Sequence, residues 1–118
     1  MASARDDFAK MKTTTGSMIL PDKRVIAFEV SGPEDAEVAL LLRPLAGTMA
    51  LWGAFRERLA SRLRVIACDP PGVGGSSEGA FDSTTREMAG DAVRLLDHLR
   101  VPRAHVFGLS FGAMIATW

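Results

Sequence analysis

A chain of 118 residues leaves room for one domain at most. Fourteen basic residues balance fourteen acidic ones, which excludes the basic excess of a nucleic-acid-binding surface. No stretch approaches the ~20 apolar residues of a membrane span, and a single cysteine, Cys68, excludes an intrachain disulfide.

Residues 1–16 carry acidic side chains and no apolar h-region, so they do not read as a signal peptide. They are expected to be a flexible polar leader to a folded part, 17–118. A cytoplasmic protein is the simplest expectation. "SMIL" (17–20) and "VIAFEV" (25–30) are β-rich runs joined by "PDKR", where Pro21 and Asp22 suit the turn of a hairpin. "GPEDAE" (32–37) is a polar loop. "VALLL" (38–42) is a continuous apolar run, as in a strand buried on both faces.

From Ala50 to about Arg62, Leu51, Phe55, Leu59 and Leu63 recur at four-residue spacing beside Trp52, which predicts an amphipathic helix. "RVIACD" (64–69) is a second buried strand, and "PPGVGGSSEG" (70–79) is a loop by composition. Thr84 followed by Glu87 has the capping-box spacing. The helix after it carries Met88, Ala92, Leu95, Leu96 and Leu99 on one stripe, and Pro102 helps to stop it. "HVFGL" (105–109) is expected to be a third buried strand, and 111–118 the opening turns of a helix. Strands alternating with helices after a leading hairpin predict an α/β fold, parallel from residue 38 onward.

The chemistry concentrates in "GLSFG" (108–112). Gly-x-Ser-x-Gly between a strand and a helix projects its serine from a sharp turn. Ser110 is the candidate nucleophile. The backbone N–H of Phe111 opens the helix, where free donors can stabilise an oxyanion. The bland alternative is a strand–helix turn whose glycines serve geometry alone. "GVGGSS" lacks the lysine of a phosphate-binding P-loop, and Ser77 stands where a dinucleotide fingerprint from Gly72 needs glycine.

With these motifs in this order, the chain resembles the α/β-hydrolase superfamily from about residue 17 to 118. "HVFGLSFGAMIA" resembles its nucleophile elbow. Asp69, Gly72, Gly74 and Ser76 resemble its Asp-x-x-Gly-x-Gly-x-Ser loop, and "VALLLRPLAGTMALWGAFRERLASRLRVIACD" resembles its oxyanion strand, loop and first helix. The resemblance implies an esterase-, lactonase- or depolymerase-like serine hydrolase with no metal or organic cofactor and a small-molecule carbonyl substrate. It makes Ser110 catalytic and gives the oxyanion hole the N–H groups of Phe111 and Leu45. Family members usually carry His-Gly where this chain has Arg43-Pro44. Pro44 fixes φ where glycine is permissive. Arg43 is a candidate substrate-binding cation for an anionic substrate, or else an arginine turned to solvent or paired with a loop carboxylate.

A serine nucleophile needs a general base within about 3 Å, itself oriented by a third group. His105 opens the strand that leads to the elbow, roughly 16 Å from Ser110 at ~3.3 Å per residue. His98 sits on the same far side. Asp69 ends a strand on the active-site side, where the family uses it to brace the glycine loop, and Cys68 reads as a small buried apolar residue. The family order is Ser, acid, His, so acid and histidine are expected beyond residue 118. The sheet is then incomplete, with the Ser110 strand at an edge that invites pairing or aggregation. Two readings follow: the nucleophile-bearing part of a serine hydrolase, completed by a second chain or a lost C-terminal part, or a non-catalytic, hydrolase-derived interaction module.

Overall fold

A computed structural model describes residues 13–43, 49–69 and 84–118. Strands β1 (Thr13–Ile19) and β2 (Val25–Ser31) form the antiparallel hairpin, in register from Thr13 opposite Ser31 to Ile19 opposite Val25. Its turn is closed by the Leu20 N–H donating to the Arg24 carbonyl at 2.8 Å, with Lys23 at φ 71°. The strand starts four residues before the predicted "SMIL". Thr13–Gly16, expected in the leader, are paired strand because three β-branched threonines suit an exposed pleated surface opposite β2. The rest of the expected leader, 1–12, lies outside the described residues.

Strands β3 (Val38–Leu42) and β4 (Arg64–Asp69) fall on the two apolar runs. Every β3 residue is buried, as predicted for a strand covered on both faces. The last strand, β5 (His105–Gly108), completes a sheet of order β1-β2-β4-β3-β5. β2 pairs with β4 antiparallel, and β3 pairs in parallel with both β4 and β5. The sheet is open, and it is parallel from residue 38 onward as the sequence predicts. β5 is not the buried strand expected: Val106 and Phe107 are about half exposed, because among the described strands only β3 flanks it.

Side-chain alternation divides the core between the two faces of the sheet. Leu40, Leu42, Ile66 and Cys68 face one way, and pack with Phe28, Leu95 and Ile115. Leu41, Val65 and Ala67 face the other, with Trp52 and Ala60. The helix predicted over 50–62 is shorter than expected. A 3₁₀ turn (Met49–Trp52) precedes α1 (Gly53–Leu59), and the two part at Gly53, whose φ of 38° is not helical. Trp52 and Ala60, at the two ends of α1, carry its attachment to the sheet.

Helix α2 (Thr85–His98) starts as its capping pattern predicts: Thr84 Oγ1 accepts from the Glu87 N–H at 3.1 Å. Leu95 is fully buried, and Met88, Ala92, Leu96 and Leu99 pack around it. Asp91, on the same helix, is buried because the Arg24 guanidinium reaches both of its oxygens, at 3.2 and 3.4 Å. That pair ties the hairpin to α2. Helix α3 (Phe111–Ala116) follows β5, and Trp118 just beyond it donates its indole N–H to Thr85 Oγ1 at 2.9 Å.

Candidate active site

The β5–α3 turn is held to the sheet by its backbone. The Leu109 N–H donates to the Leu42 carbonyl at 3.1 Å, carrying the β3–β5 pairing to the edge of the turn. The chain then reverses in one residue: Ser110 has φ 55° and ψ −113° and is exposed. That conformation lies outside the helical and extended regions, and strain of about 1–3 kcal/mol is usual for a side-chain-bearing residue so placed. The Ser110 carbonyl already accepts from the Ala113 N–H at 2.9 Å, so the helix begins at the next residue.

Tight packing forces the two glycines. A Cβ on Gly112 would run into the Leu42 and Arg43 carbonyls, and one on Gly108 into the backbone of Gly112 and Ala113. With no side chains between them, α3 lies directly on the ends of β3 and β5. The Phe111 N–H is in the first turn of α3, and among the described residues no backbone carbonyl accepts from it. Ser110 and Phe111 therefore present a hydroxyl and a backbone donor from the same turn.

The second oxyanion donor expected from sequence, Leu45, lies with Pro44 outside the described residues, as do Gly72, Gly74 and Ser76. The residues on either side of 44–48 are described. The Met49 N–H donates to Asp69 Oδ1 at 2.7 Å, and Asp69 is 2% exposed at the end of β4. Sequence reasoning gave Asp69 a bracing role at the glycine loop; the bond described here runs to the β3 side. Nothing in the sequence points to Met49, because its part is played by backbone.

Arg43 does not turn to solvent. It is 7% exposed and lines a crevice of about 40 Å³ with Leu42, Cys68, Asp91, Phe111 and Ile115, behind the turn. Burial pulls its guanidinium down from the usual arginine range, and the charge of Asp69 opposes that shift. Cys68 is free and buried, and its thiol is pushed up to about 12 by burial, then by the Asp69 charge. A thiol so protonated is no nucleophile at neutral pH.

Neither histidine is brought to Ser110. His105 is the first residue of β5, with Nε2 3.5 Å from Glu37 Oε2, and the length of the strand separates it from the turn. His98 meets the Phe28 ring edge-on, with centroids 5.9 Å apart. Among the described residues no group of three His, Cys, Asp or Glu side chains is placed to hold a metal ion. No described helix is long and apolar enough to cross a membrane.

Residues 40–118 match the sequence model of the alpha/beta hydrolase fold. A protein of Variovorax paradoxus named for carbamate hydrolysis is 38% identical over 94 residues, covering 75% of this chain and 34% of that protein. A 3-oxoadipate enol-lactonase of Acinetobacter baylyi is 27% identical over 95 residues, covering 80% of this chain and 35% of the lactonase. The crystal structure of a hydrolase from Pseudomonas aeruginosa superposes with a TM-score of 0.85 at 28% identity, covering 89% of this chain and 40% of that one. The chain thus spans about a third of the length of the curated relatives it matches.

Proposed function

Because the chain belongs to the alpha/beta hydrolase fold family, we propose that it carries the serine nucleophile of a hydrolase acting on an ester, thioester or related carbonyl. The observation that carries this reading is Ser110 itself: exposed, at φ 55° and ψ −113°, on a turn whose two glycines allow no side chain. A fold with no use for an outward hydroxyl gains nothing from such strain. The names of the relatives fit, since an enol-lactone and a carbamate both offer a carbonyl carbon bonded to a heteroatom.

In this reading Ser110 Oγ attacks the carbonyl carbon, and a histidine takes its proton. The oxyanion is held by the N–H of Phe111 and that of Leu45. The tetrahedral intermediate collapses to an acyl-serine, and the leaving group departs with the proton from that histidine. Water, activated by the same base, then releases the acid and restores the serine. His98 and His105 lie away from Ser110, so the base comes from outside residues 1–118, and with it the acid that orients it. A small-molecule substrate is enough for this chemistry, and no cofactor takes part.

A fluorophosphonate probe tests the proposal. Mixed with a polypeptide that supplies the acid and histidine, the chain is expected to gain one adduct, on the peptide that contains Ser110, and Ser110→Ala to gain none. Absence of labelling in every assembly would refute it. The half-exposed Val106 and Phe107 on β5 favour a second reading, an interaction module without catalysis, and the same negative result would support that one.

A further inference from the structure

The end of the sheet away from Ser110 holds an open groove of about 540 Å³. It crosses the starts of β4, β3 and β5, which lie side by side, so it spans about 10 Å at the usual strand spacing. Its walls are fixed by backbone. The Arg64 N–H donates to the Glu37 carbonyl at 2.9 Å, which ties β4 to the loop before β3. On the other side α2 ends in a closed turn: the Val101 N–H reaches back to the Leu96 carbonyl at 2.8 Å, and the Arg100 N–H to that of Asp97 at 3.0 Å. His105 Nε2, 3.5 Å from Glu37 Oε2, links the two walls. Val38 and Val101, both buried, add apolar surface between them.

The walls carry charges of both signs: Arg64, Arg100 and Arg103 line the groove with Glu34 and Asp35. Among the described residues none of these five side chains makes an ion pair or a hydrogen bond. The walls hold the opposite charges too far apart to pair, and the gap leaves room for a ligand. Arg100 is at φ 58°, in the position after a helix where glycine is usual. An arginine there bears strain that glycine would avoid, and it sets a guanidinium on the groove.

We propose that this groove binds a small zwitterion of peptide size, one with a free carboxylate and a free ammonium. The guanidinium groups take the carboxylate in paired hydrogen bonds, and Glu34 and Asp35 take the ammonium. A purely anionic ligand would meet two uncompensated carboxylates, and a purely cationic one three guanidinium groups. The volume falls in the range of small-molecule sites, about 300–1,000 Å³. An extended tripeptide, at about 3.3–3.6 Å per residue, matches the span. The site stands apart from the serine-hydrolase reading, because the length of β5 separates His105 from the turn that bears Ser110.

Triglycine is the probe, titrated into the full chain and followed by the backbone amide signals in ¹H–¹⁵N NMR. Saturable shifts are expected in 34–38, 64 and 100–105, with a dissociation constant of roughly 1 mM, as suits a few charge-assisted contacts in an open site. N-acetyl-triglycine lacks the ammonium and triglycine amide lacks the carboxylate. Each is expected to bind roughly tenfold more weakly, the scale of one charge-assisted hydrogen bond. Arg100→Gly removes a guanidinium and relieves the positive φ, so it is expected to weaken triglycine binding while the urea midpoint holds or rises. Arg100→Gly combined with Arg103→Ala is expected to abolish the shifts. Triglycine that gives no saturable shift, or shifts centred elsewhere, overturns the proposal. So does either analogue binding as tightly as triglycine, or unchanged affinity in the double variant. If the double variant fails to fold, the three probes on the wild-type chain decide by the same criteria.

Discussion

Replacing Gly112 with alanine tests the packing that makes the serine turn. The new Cβ would stand 2.6 Å from the Leu42 carbonyl carbon and 2.8 Å from the Arg43 oxygen. These are backbone atoms of a strand and its end, and they cannot rotate away. The Leu42 oxygen is nearer still, so restoring ordinary contact requires α3 to move out by well over about 1 Å, given optimal separations near 3.5 Å. That shift strains the Leu109–Leu42 hydrogen bond at the mouth of the turn. Overpacking of this kind costs about 1–3 kcal/mol or more, against a gain of at most about 1 kcal/mol from replacing a helical glycine. The expected net loss is about 2 kcal/mol, read as a lower midpoint in urea unfolding followed by circular dichroism. Gly90→Ala is the matched control. Gly90 lies within α2, and its added Cβ meets nothing within 4 Å. There the propensity term stands alone, and the variant is expected to gain about 0.5–1 kcal/mol. A Gly112→Ala chain as stable as wild type, or a Gly90→Ala chain less stable, would refute the reasoning.

Ser110→Gly is expected to stabilise the chain by about 1 kcal/mol in the same titration, because glycine tolerates φ 55° without strain, and to abolish the fluorophosphonate adduct. Thr84→Ala removes the acceptor for the Glu87 N–H and is expected to cost about 1 kcal/mol, with faster amide exchange in the first turn of α2. The Cys68 thiol, pushed from its ordinary 9.0 up to about 12 in the fold, ionises first in the unfolded chain. Its contribution to stability is therefore intact below pH 9 and is lost as pH rises from 9 toward 12. Urea midpoints measured across that window are expected to decline less steeply in Cys68→Ala, and an unchanged slope would show that the thiol is not the group responsible.

The parts of the fold read correctly from sequence are those where one physical demand dominates. β3 and β4 must be apolar on both faces, so "VALLL" and "RVIACD" mark their own limits. The α2 start follows from Thr84 and Glu87, and the serine turn from a glycine spacing that only close backbone contact explains. The misreadings come from partners far along the chain. Thr13–Gly16 look like a polar leader until β2 lies opposite them. The burial of Asp91 goes unmarked in the sequence, because its partner Arg24 is 67 residues away. Burial of Arg43 follows from the crevice that α2 and α3 close over it, and residue type alone predicts the reverse. In the candidate site, Ser110 and the Phe111 N–H were legible because they are local to one turn. The Asp69–Met49 bond was not, since a backbone donor leaves no trace in side-chain spelling.

The strand order also sets a timetable for synthesis. β2 and β3 are consecutive in the chain, yet β4 lies between them in the sheet. A hairpin such as β1–β2 closes within about 1–10 μs. Ribosomes adding about 5–20 residues per second need a second or more to travel from the end of β3 to the end of β4. For that interval Phe28, Val30 and Val38–Leu41 have been made and lack their common neighbour. Val65 and Ile66, both fully buried, join the hairpin to the parallel part of the sheet once they are made. The nascent chain thus passes through an interval, between completion of β3 and of β4, in which apolar strands wait for their sheet neighbour, and slower synthesis lengthens it.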